Sequence, residues 1–169
     1  MGNLMNFWQT CMIELYTSYY ANMKNIPTNY LMVGISQYCP EWLKEDAPDN
    51  FMWVKGNFLA PDKELLDDIK SGRIDHKTYT ERYTNKFYES FDKSYVYKSV
   101  DDWYQAMDKE FSDKYRAIVF LCYEKPSDFC HRHILRDILN YKHHIRIEEY
   151  PYTEKKKATD DIPKTKALF

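Results

Sequence analysis

The sequence predicts an α/β domain with a three-layer, Rossmann-like fold, in which helices flank a mostly parallel sheet of about four to five strands. Short runs rich in β-branched and aromatic residues alternate with amphipathic helical segments along the chain. Residues 116–122 are apolar almost without interruption, as in a strand buried on both faces. A helix and an alternating strand follow this run, and such a strand–helix–strand unit requires parallel pairing with a right-handed crossover.

Three strands and one helix are predicted in the first half of the chain. They are strands at residues 12–16, about 30–35 and within 51–58, and a helix at residues 60–72. The first strand is expected to break into a polar turn at Thr17 and Ser18. Pro40 is expected to end regular structure after the second strand, because proline restricts the residue before it.

The second half is predicted to hold three helices and the two strands of the crossover unit. They are helices at residues 75–91, 99–111 and 130 to about 141, and strands at residues 116–122 and 144–150. The first helix carries Tyr79, Tyr83, Phe87 and Phe91 at four-residue spacing, which is typical of a core-facing side rather than a base-stacking platform. We predict one domain at residues 1–152 and a charged, flexible tail at residues 153–169.

Composition and charge restrict the classes of function. The chain has 169 residues, of which 44% are hydrophobic and 30% charged, as in ordinary globular proteins. With a formal net charge of −2 it lacks a global basic field, so strong binding to duplex nucleic acid is not expected. No run approaches the roughly 18 apolar residues of a membrane span, and no secretory leader is recognised. Four cysteines without CxxC spacing indicate reduced thiols in a cytoplasmic protein.

Polar residues follow three of the predicted strands, and ligands of open α/β sheets bind beyond the carboxyl ends of strands. The clusters are Tyr16-Thr17-Ser18-Tyr19, Ser36-Gln37-Tyr38 and Cys122-Tyr123-Glu124, and the following helix opens on Cys130-His131-Arg132. Parallel strands would bring all four to one edge of the sheet. The sequence therefore predicts a ligand site at this edge.

Cys130 is expected to begin a helix, where the positive dipole end, His131 and Arg132 lower the pKa of a thiol. Such a thiol suits a nucleophile or a metal ligand. The same helix end would hold a phosphate or carboxylate, with Arg132 as a bidentate partner. Cysteine-phosphatase chemistry is disfavoured, because only His131 separates Cys130 from Arg132 and no loop of backbone amides fits between them.

A metal site is also disfavoured by the spacing. Zinc ligands drawn from Cys39, Cys122, Cys130 and His131 would have the pattern Cys-x7-Cys-His in their second half, which is not a standard ligand spacing. We therefore expect no metal and no cofactor. A purely structural interpretation stays open, in which Cys122 is a small core residue and Glu124 pairs with Arg132 or Lys125.

Several segments together resemble the family called domain of unknown function 488. They are "LYTSYY", "VGISQYCPEW", "NFLAP", the pair Tyr79 and Tyr83, and "FLCYEKPSDFCHRHILRDIL", spread over about residues 13–150. The most specific piece is the strand ending Cys-Tyr-Glu with Cys-His-Arg at the next helix. The resemblance implies an α/β domain of bacterial or phage type. It also implies a shared site, whose matching polar residues are Thr17, Ser18, Ser36, Tyr38, Trp42, Tyr79, Tyr83, Cys122, Glu124, Cys130, His131 and Arg132.

The chain departs from the family pattern at two positions. Gln37 stands where members often have arginine, and Glu41 stands where a basic residue often precedes the tryptophan. Both changes remove positive charge from the predicted edge. They weigh against a strongly anionic ligand or indicate a changed specificity.

Three functions stay open at this point. The first is an enzyme that binds a small anionic or nucleotide-like ligand and uses hydrolytic or glycosidic acid/base chemistry. Its predicted catalytic residues are Glu124, Cys130 and His131, and its predicted ligand-binding residues are Thr17, Ser18, Ser36, Tyr38, Trp42, Cys122 and Arg132. The second is a non-catalytic ligand- or protein-binding module, and the third is a cysteine-dependent metal or redox protein.

Overall fold

The described part of the chain comprises five strands, five α-helices and one 3₁₀ turn. A computed structural model describes residues 12–151. In chain order the elements are β1 (Glu14–Tyr19), the 3₁₀ turn (Tyr20–Asn25), β2 (Tyr30–Gly34), α1 (Glu41–Glu45), β3 (Phe51–Trp53), α2 (Lys63–Lys70), α3 (His76–Asp92), α4 (Val100–Phe111), β4 (Ala117–Cys122), α5 (His131–Lys142) and β5 (Ile147–Glu149). The predicted tail lies outside the described residues. Within residues 12–151 no helix is both long and apolar enough to cross a membrane.

All five strands run parallel in one sheet, in the order β3-β2-β4-β1-β5. The predicted fold class is therefore confirmed. The central strand β4 is buried along its whole length, as its apolar sequence predicts. Tyr19 pairs with Cys122 and Gly34 pairs with Leu121, so β1, β2 and β4 end at the same edge of the sheet.

The core lies on both faces of the sheet. It fills the space between the sheet and the helices that cover each face, which gives three layers. Successive β4 side chains point to opposite faces. Phe120 packs into the larger cluster with residues of α2, α3, α4 and α5, whereas Val119 and Leu121 pack into a smaller cluster with the 3₁₀ turn and α1. The aromatic stripe of α3 is buried in the larger cluster, which confirms its interpretation as core.

One local prediction was wrong, because Thr17 and Ser18 do not form a turn. Both lie inside β1 and are fully buried. The Thr17 hydroxyl donates to Glu149 Oε2 over 2.5 Å, and the Ser18 hydroxyl accepts from the Asn22 side chain over 3.0 Å. Consecutive hydroxyl residues favour turns when their side chains bond to the nearby backbone. Here side chains satisfy them instead, Glu149 on another strand and Asn22 in the 3₁₀ turn that follows, so the strand continues.

The Gly34→Ala substitution is expected to lower the free energy of unfolding by about 1–3 kcal/mol through overpacking. A Cβ atom at this last residue of β2 would lie 2.7 Å from the Tyr20 hydroxyl and 2.9 Å from Cδ1 of Trp53. Urea denaturation followed by circular dichroism measures the loss. Gly56→Ala is the control for backbone strain alone, because Gly56 has a φ of +75° and no atom within 4 Å of an added Cβ. Unchanged stability of Gly34→Ala would contradict the close packing.

Candidate functional site

Four side chains form a compact group at the carboxyl end of β4, which we call the thiol cluster: Cys122, Glu124, Cys130 and His131. The thiols of Cys122 and Cys130 each lie 3.1 Å from Glu124 Oε2. Nδ1 of His131 lies 3.8 Å from the Cys122 sulfur and 3.9 Å from the Cys130 sulfur. The two sulfurs thus have the same two polar neighbours, Oε2 of Glu124 and Nδ1 of His131.

Local structure explains why residues on the two sides of one loop meet. Cys122 is the last residue of β4, and Glu124 follows it in the connecting loop. Cys130 occupies the N-cap position of α5 with an extended φ of −152°, and His131 is the first residue of the helix. The loop of residues 123–129 therefore returns the chain to the strand end that it left, so strand end and helix start contribute to one cluster.

The imidazole of His131 is held in one tautomer and one orientation. Its Nε2 lies 2.9 Å from the backbone oxygen of Ile35, immediately after β2. A carbonyl oxygen only accepts hydrogen bonds, so Nε2 carries a proton and donates it to this oxygen. The ring of Tyr83 packs against the imidazole with 5.4 Å between centroids. Nδ1 is therefore the ring nitrogen that faces the two sulfurs.

The pKa values of the two thiols are shifted in opposite directions. The hydrogen bond from Cys122, helped by His131, lowers the pKa of Cys130 to about 6 despite its burial. The pKa of Cys122 is raised well above its usual value by its hydrogen bond with Cys130 and by burial. Cys122 is therefore the sulfur that keeps its proton, and Cys130 is the one that gives it up.

Glu124 is the acceptor for both thiols. Burial opposes ionisation of its carboxyl group, but hydrogen bonds from Cys130 and Cys122 outweigh burial, so its pKa lies below the usual value. Two full negative charges at hydrogen-bonding distance repel each other strongly. The charge of Glu124 therefore opposes ionisation of Cys130, but the hydrogen bond from Cys122 outweighs this opposition.

Arg132 is buried, and its guanidinium group is bound by other groups of the protein. Its side chain is 0% exposed and donates from one terminal nitrogen to the backbone oxygen of Glu124 over 2.7 Å. The other terminal nitrogen and Nε donate to the two oxygens of Glu149 over 3.1 and 3.5 Å. Thr17 donates to the same carboxylate. Contact of Arg132 with an anionic ligand stays a prediction, and in this arrangement the guanidinium holds the backbone of Glu124 in place.

The other predicted ligand-binding residues lie at the same edge without joining the thiol cluster. Ser36 bonds to the Tyr20 hydroxyl over 2.6 Å and to the backbone oxygen of Tyr38 over 2.7 Å. The Tyr38 and Trp42 side chains are 52% and 58% exposed and form part of the surface. The structure thus separates the predicted residues into a buried polar group and a pair of exposed aromatic rings.

One residue at this edge, Glu149, escaped the sequence analysis, and a second, Tyr79, lies closer to the site than its core position indicated. Glu149 lies at the carboxyl end of β5 and binds both Arg132 and Thr17. The rule on strand ends would have identified it if applied to the last strand as well. Tyr79 was predicted only as core and family match, but its pKa is raised by burial and then by the charges of Cys130, Cys122 and Glu124. Its hydroxyl therefore lies near the thiol cluster.

Comparison with known proteins finds a family profile that matches most of the chain. A family profile described as the active DUF488-N3 subclade matches residues 16–143, which include the whole thiol cluster. No curated protein and no solved structure is significantly similar to the chain. Since the matched segment is well over half of the chain, the protein belongs to the domain of unknown function 488 family, within the active DUF488-N3 subclade.

Proposed function

We propose that the protein is an enzyme that binds a small anionic or nucleotide-like molecule beside the thiol cluster. Glu124 transfers a proton to or from this molecule in a hydrolytic or glycosidic reaction. The proposal rests on one observation: a partly exposed carboxylate lies 3.1 Å from each of two buried thiols. Proton exchange by a positioned carboxylate is an established catalytic contribution. The description of the matched subclade as active also supports the proposal.

Glu124 is the member of the thiol cluster best placed to meet a substrate. The side chains of Cys122, Cys130 and His131 are buried, whereas Glu124 is partly exposed. Arg132 donates a hydrogen bond to the backbone oxygen of Glu124 and thereby holds this backbone in place. A carboxylate that is anchored at its backbone, bonded at one oxygen and open to solvent has the properties of a general acid or base.

Exposed aromatic rings beside the thiol cluster suit a ligand with a planar ring. The Tyr123 hydroxyl donates to the backbone oxygen of Tyr38 over 3.2 Å, which ties the Glu124 loop to the segment that follows β2. Trp42, on α1, adds a second exposed ring. Stacking on such rings would orient a nucleobase, while the first-turn amides of α5 face an anionic group. A cytoplasmic protein of bacterial or phage origin would keep the thiols reduced, as the proposal requires.

The experiment follows release of a base or phosphate by liquid chromatography when the full chain is incubated with AMP, NAD⁺ or ADP-ribose. We expect turnover of at least one of these probes. Glu124→Gln is expected to lower the rate by about 10²–10⁴-fold, because it removes the proton-carrying group. Lys125→Gln is the matched control on the same loop and keeps the rate. Equal rates for Glu124→Gln and wild type would remove Glu124 from the mechanism.

A non-catalytic binding module is the second candidate, and the exposed rings of Tyr38 and Trp42 favour it. Binding of the same three probes, measured by isothermal titration calorimetry, decides between the two. Binding that is lost in Trp42→Ala, with no turnover in the wild type, would establish the module and reject the enzyme. Turnover in the wild type rejects the module.

A further inference from the structure

We infer that Cys122, Cys130 and His131 bind a zinc ion, with Glu124 facing the fourth coordination position. The three donor atoms, two sulfurs and one ring nitrogen, all lie within 4.8 Å of one another, and all three residues are buried. Thiolate sulfur and imidazole nitrogen are the donors that zinc prefers, in tetrahedral geometry. Soft sulfur donors also favour zinc over magnesium, calcium or manganese.

The distances from the His131 nitrogen to the two sulfurs are close to those expected for a tetrahedral zinc site. Zinc bonds of about 2.3 Å to sulfur and about 2.0–2.1 Å to nitrogen place the sulfur and nitrogen ligands about 3.6 Å apart. Nδ1 of His131 lies 3.8 and 3.9 Å from the two sulfurs. These two distances therefore exceed the tetrahedral value by only a few tenths of an ångström, and all three donor atoms lie within 4.8 Å of one another.

The surroundings of His131 are those of a metal ligand. Histidine ligands almost always donate their second ring N–H to a carbonyl or carboxylate, which fixes the tautomer and directs the lone pair at the metal. The bond from Nε2 to the Ile35 carbonyl does this for His131. The Tyr83 ring, itself anchored by its hydroxyl on the Leu59 carbonyl over 2.7 Å, blocks rotation of the imidazole.

Glu124 gives the fourth position its chemical character. Its Oε2 lies 3.1 Å from both sulfurs, and its side chain is on the partly exposed side of the group. Three protein ligands with an open fourth position are typical of catalytic zinc sites, where the metal lowers the pKa of a bound water. Glu124 would take a proton from that water. This last role rests on the proposed function, whereas zinc binding itself does not.

The spacing Cys-x7-Cys-His led us to expect no metal, and the fold removes this objection. Standard spacings describe ligands that share one turn or hairpin. Here the end of a strand and the start of a helix supply the donors, and the loop of residues 123–129 closes the distance. Cys39, the other cysteine considered as a ligand, is not among the residues that the structure groups together.

The test measures zinc in the full chain, purified from zinc-supplemented cells without chelators or metal-affinity resin, by inductively coupled plasma mass spectrometry. We expect about one zinc ion per chain. Cys122→Ser and Cys130→Ser are each expected to lose most of it, and Cys39→Ser, the matched control, to keep it. Glu124→Gln keeps its zinc even where it loses turnover.

Cobalt substitution of the wild-type protein guards against variants that fail to fold. After zinc is removed with EDTA, addition of Co²⁺ should produce a thiolate charge-transfer band and the intense visible bands of a tetrahedral site. Wild-type protein with no more zinc than Cys122→Ser and without these bands would overturn the inference, whether or not the enzyme turns over a substrate. Stoichiometric zinc without turnover would instead leave the zinc site in place and reject the proposed reaction.

Discussion

Arg132→Ala is expected to lower the free energy of unfolding by about 3–5 kcal/mol, because removing one partner of a buried ion pair leaves the other charge uncompensated. The Arg132 side chain is fully buried and binds the Glu149 carboxylate and the Glu124 backbone oxygen. Its loss leaves Glu149 without its cation and the carbonyl without its donor. Guanidinium chloride denaturation monitored by far-ultraviolet circular dichroism gives the free energy directly.

Two further variants make this test specific. Arg136→Ala on the same helix removes a surface arginine that pairs with Asp137, so we expect a change below about 1 kcal/mol. The double variant Arg132→Met with Glu149→Gln removes both charges, and it should be more stable than the sum of the single losses predicts. If Arg132→Ala costs no more than Arg136→Ala, the guanidinium is not committed to Glu149 and is available to a ligand.

Tyr83→Ala is expected to cost about 3–5 kcal/mol of stability, as for other large aromatic residues removed from a core. Tyr83 is buried in the middle of the α3 stripe, between Tyr79 and the imidazole of His131. Tyr83→Phe keeps the ring and leaves the Leu59 carbonyl unpaired, which should cost only about 1–3 kcal/mol. Thermal and urea denaturation of the two variants separate the packing of the ring from its hydrogen bond.

Tyr95→Ala is the control, since the Tyr95 side chain is 98% exposed and its removal should leave stability unchanged. The effect of Tyr83 on the site is visible in the proton and nitrogen resonances of His131. Tyr83→Phe should preserve them, because the ring still packs on the imidazole. Tyr83→Phe with the full cost of Tyr83→Ala would show that the hydroxyl, rather than the ring, dominates at this position.

The fold was predictable from the sequence because its signals are local. The continuous apolar run of β4 indicates burial on both faces, and the four-residue spacing of α3 indicates one buried face. No local pattern of this kind indicates that Thr17 and Ser18 are buried in a strand. Their hydroxyls are satisfied by Glu149 and Asn22, and the pairing of Thr17 with Glu149 depends on where two distant strands meet. A rule based on neighbours in sequence cannot detect such a partner.

The position of the site was predictable from the sequence, whereas the orientation of its side chains was not. The rule on strand ends led to Cys122, Glu124 and Cys130, which the structure brings into contact. The orientation of His131 depends on a backbone carbonyl, and no sequence pattern encodes that partner. The direction of Arg132 was equally hidden, because Glu149 becomes its neighbour only when β5 has joined the sheet.

β4 lies between β1 and β2, so the sheet is complete only when both neighbours have paired with it. Both neighbours precede β4 by a long stretch of chain, and contacts between residues so distant in sequence form slowly during folding. The bond between the Ile35 carbonyl and His131 joins the segment after β2 to the helix after β4, so we expect it to form once these two strands have paired. The thiols of Cys122 and Cys130 should therefore remain accessible to alkylation until β4 has paired with β1 and β2. The time course of their protection during refolding therefore reports when β4 pairs with its neighbours.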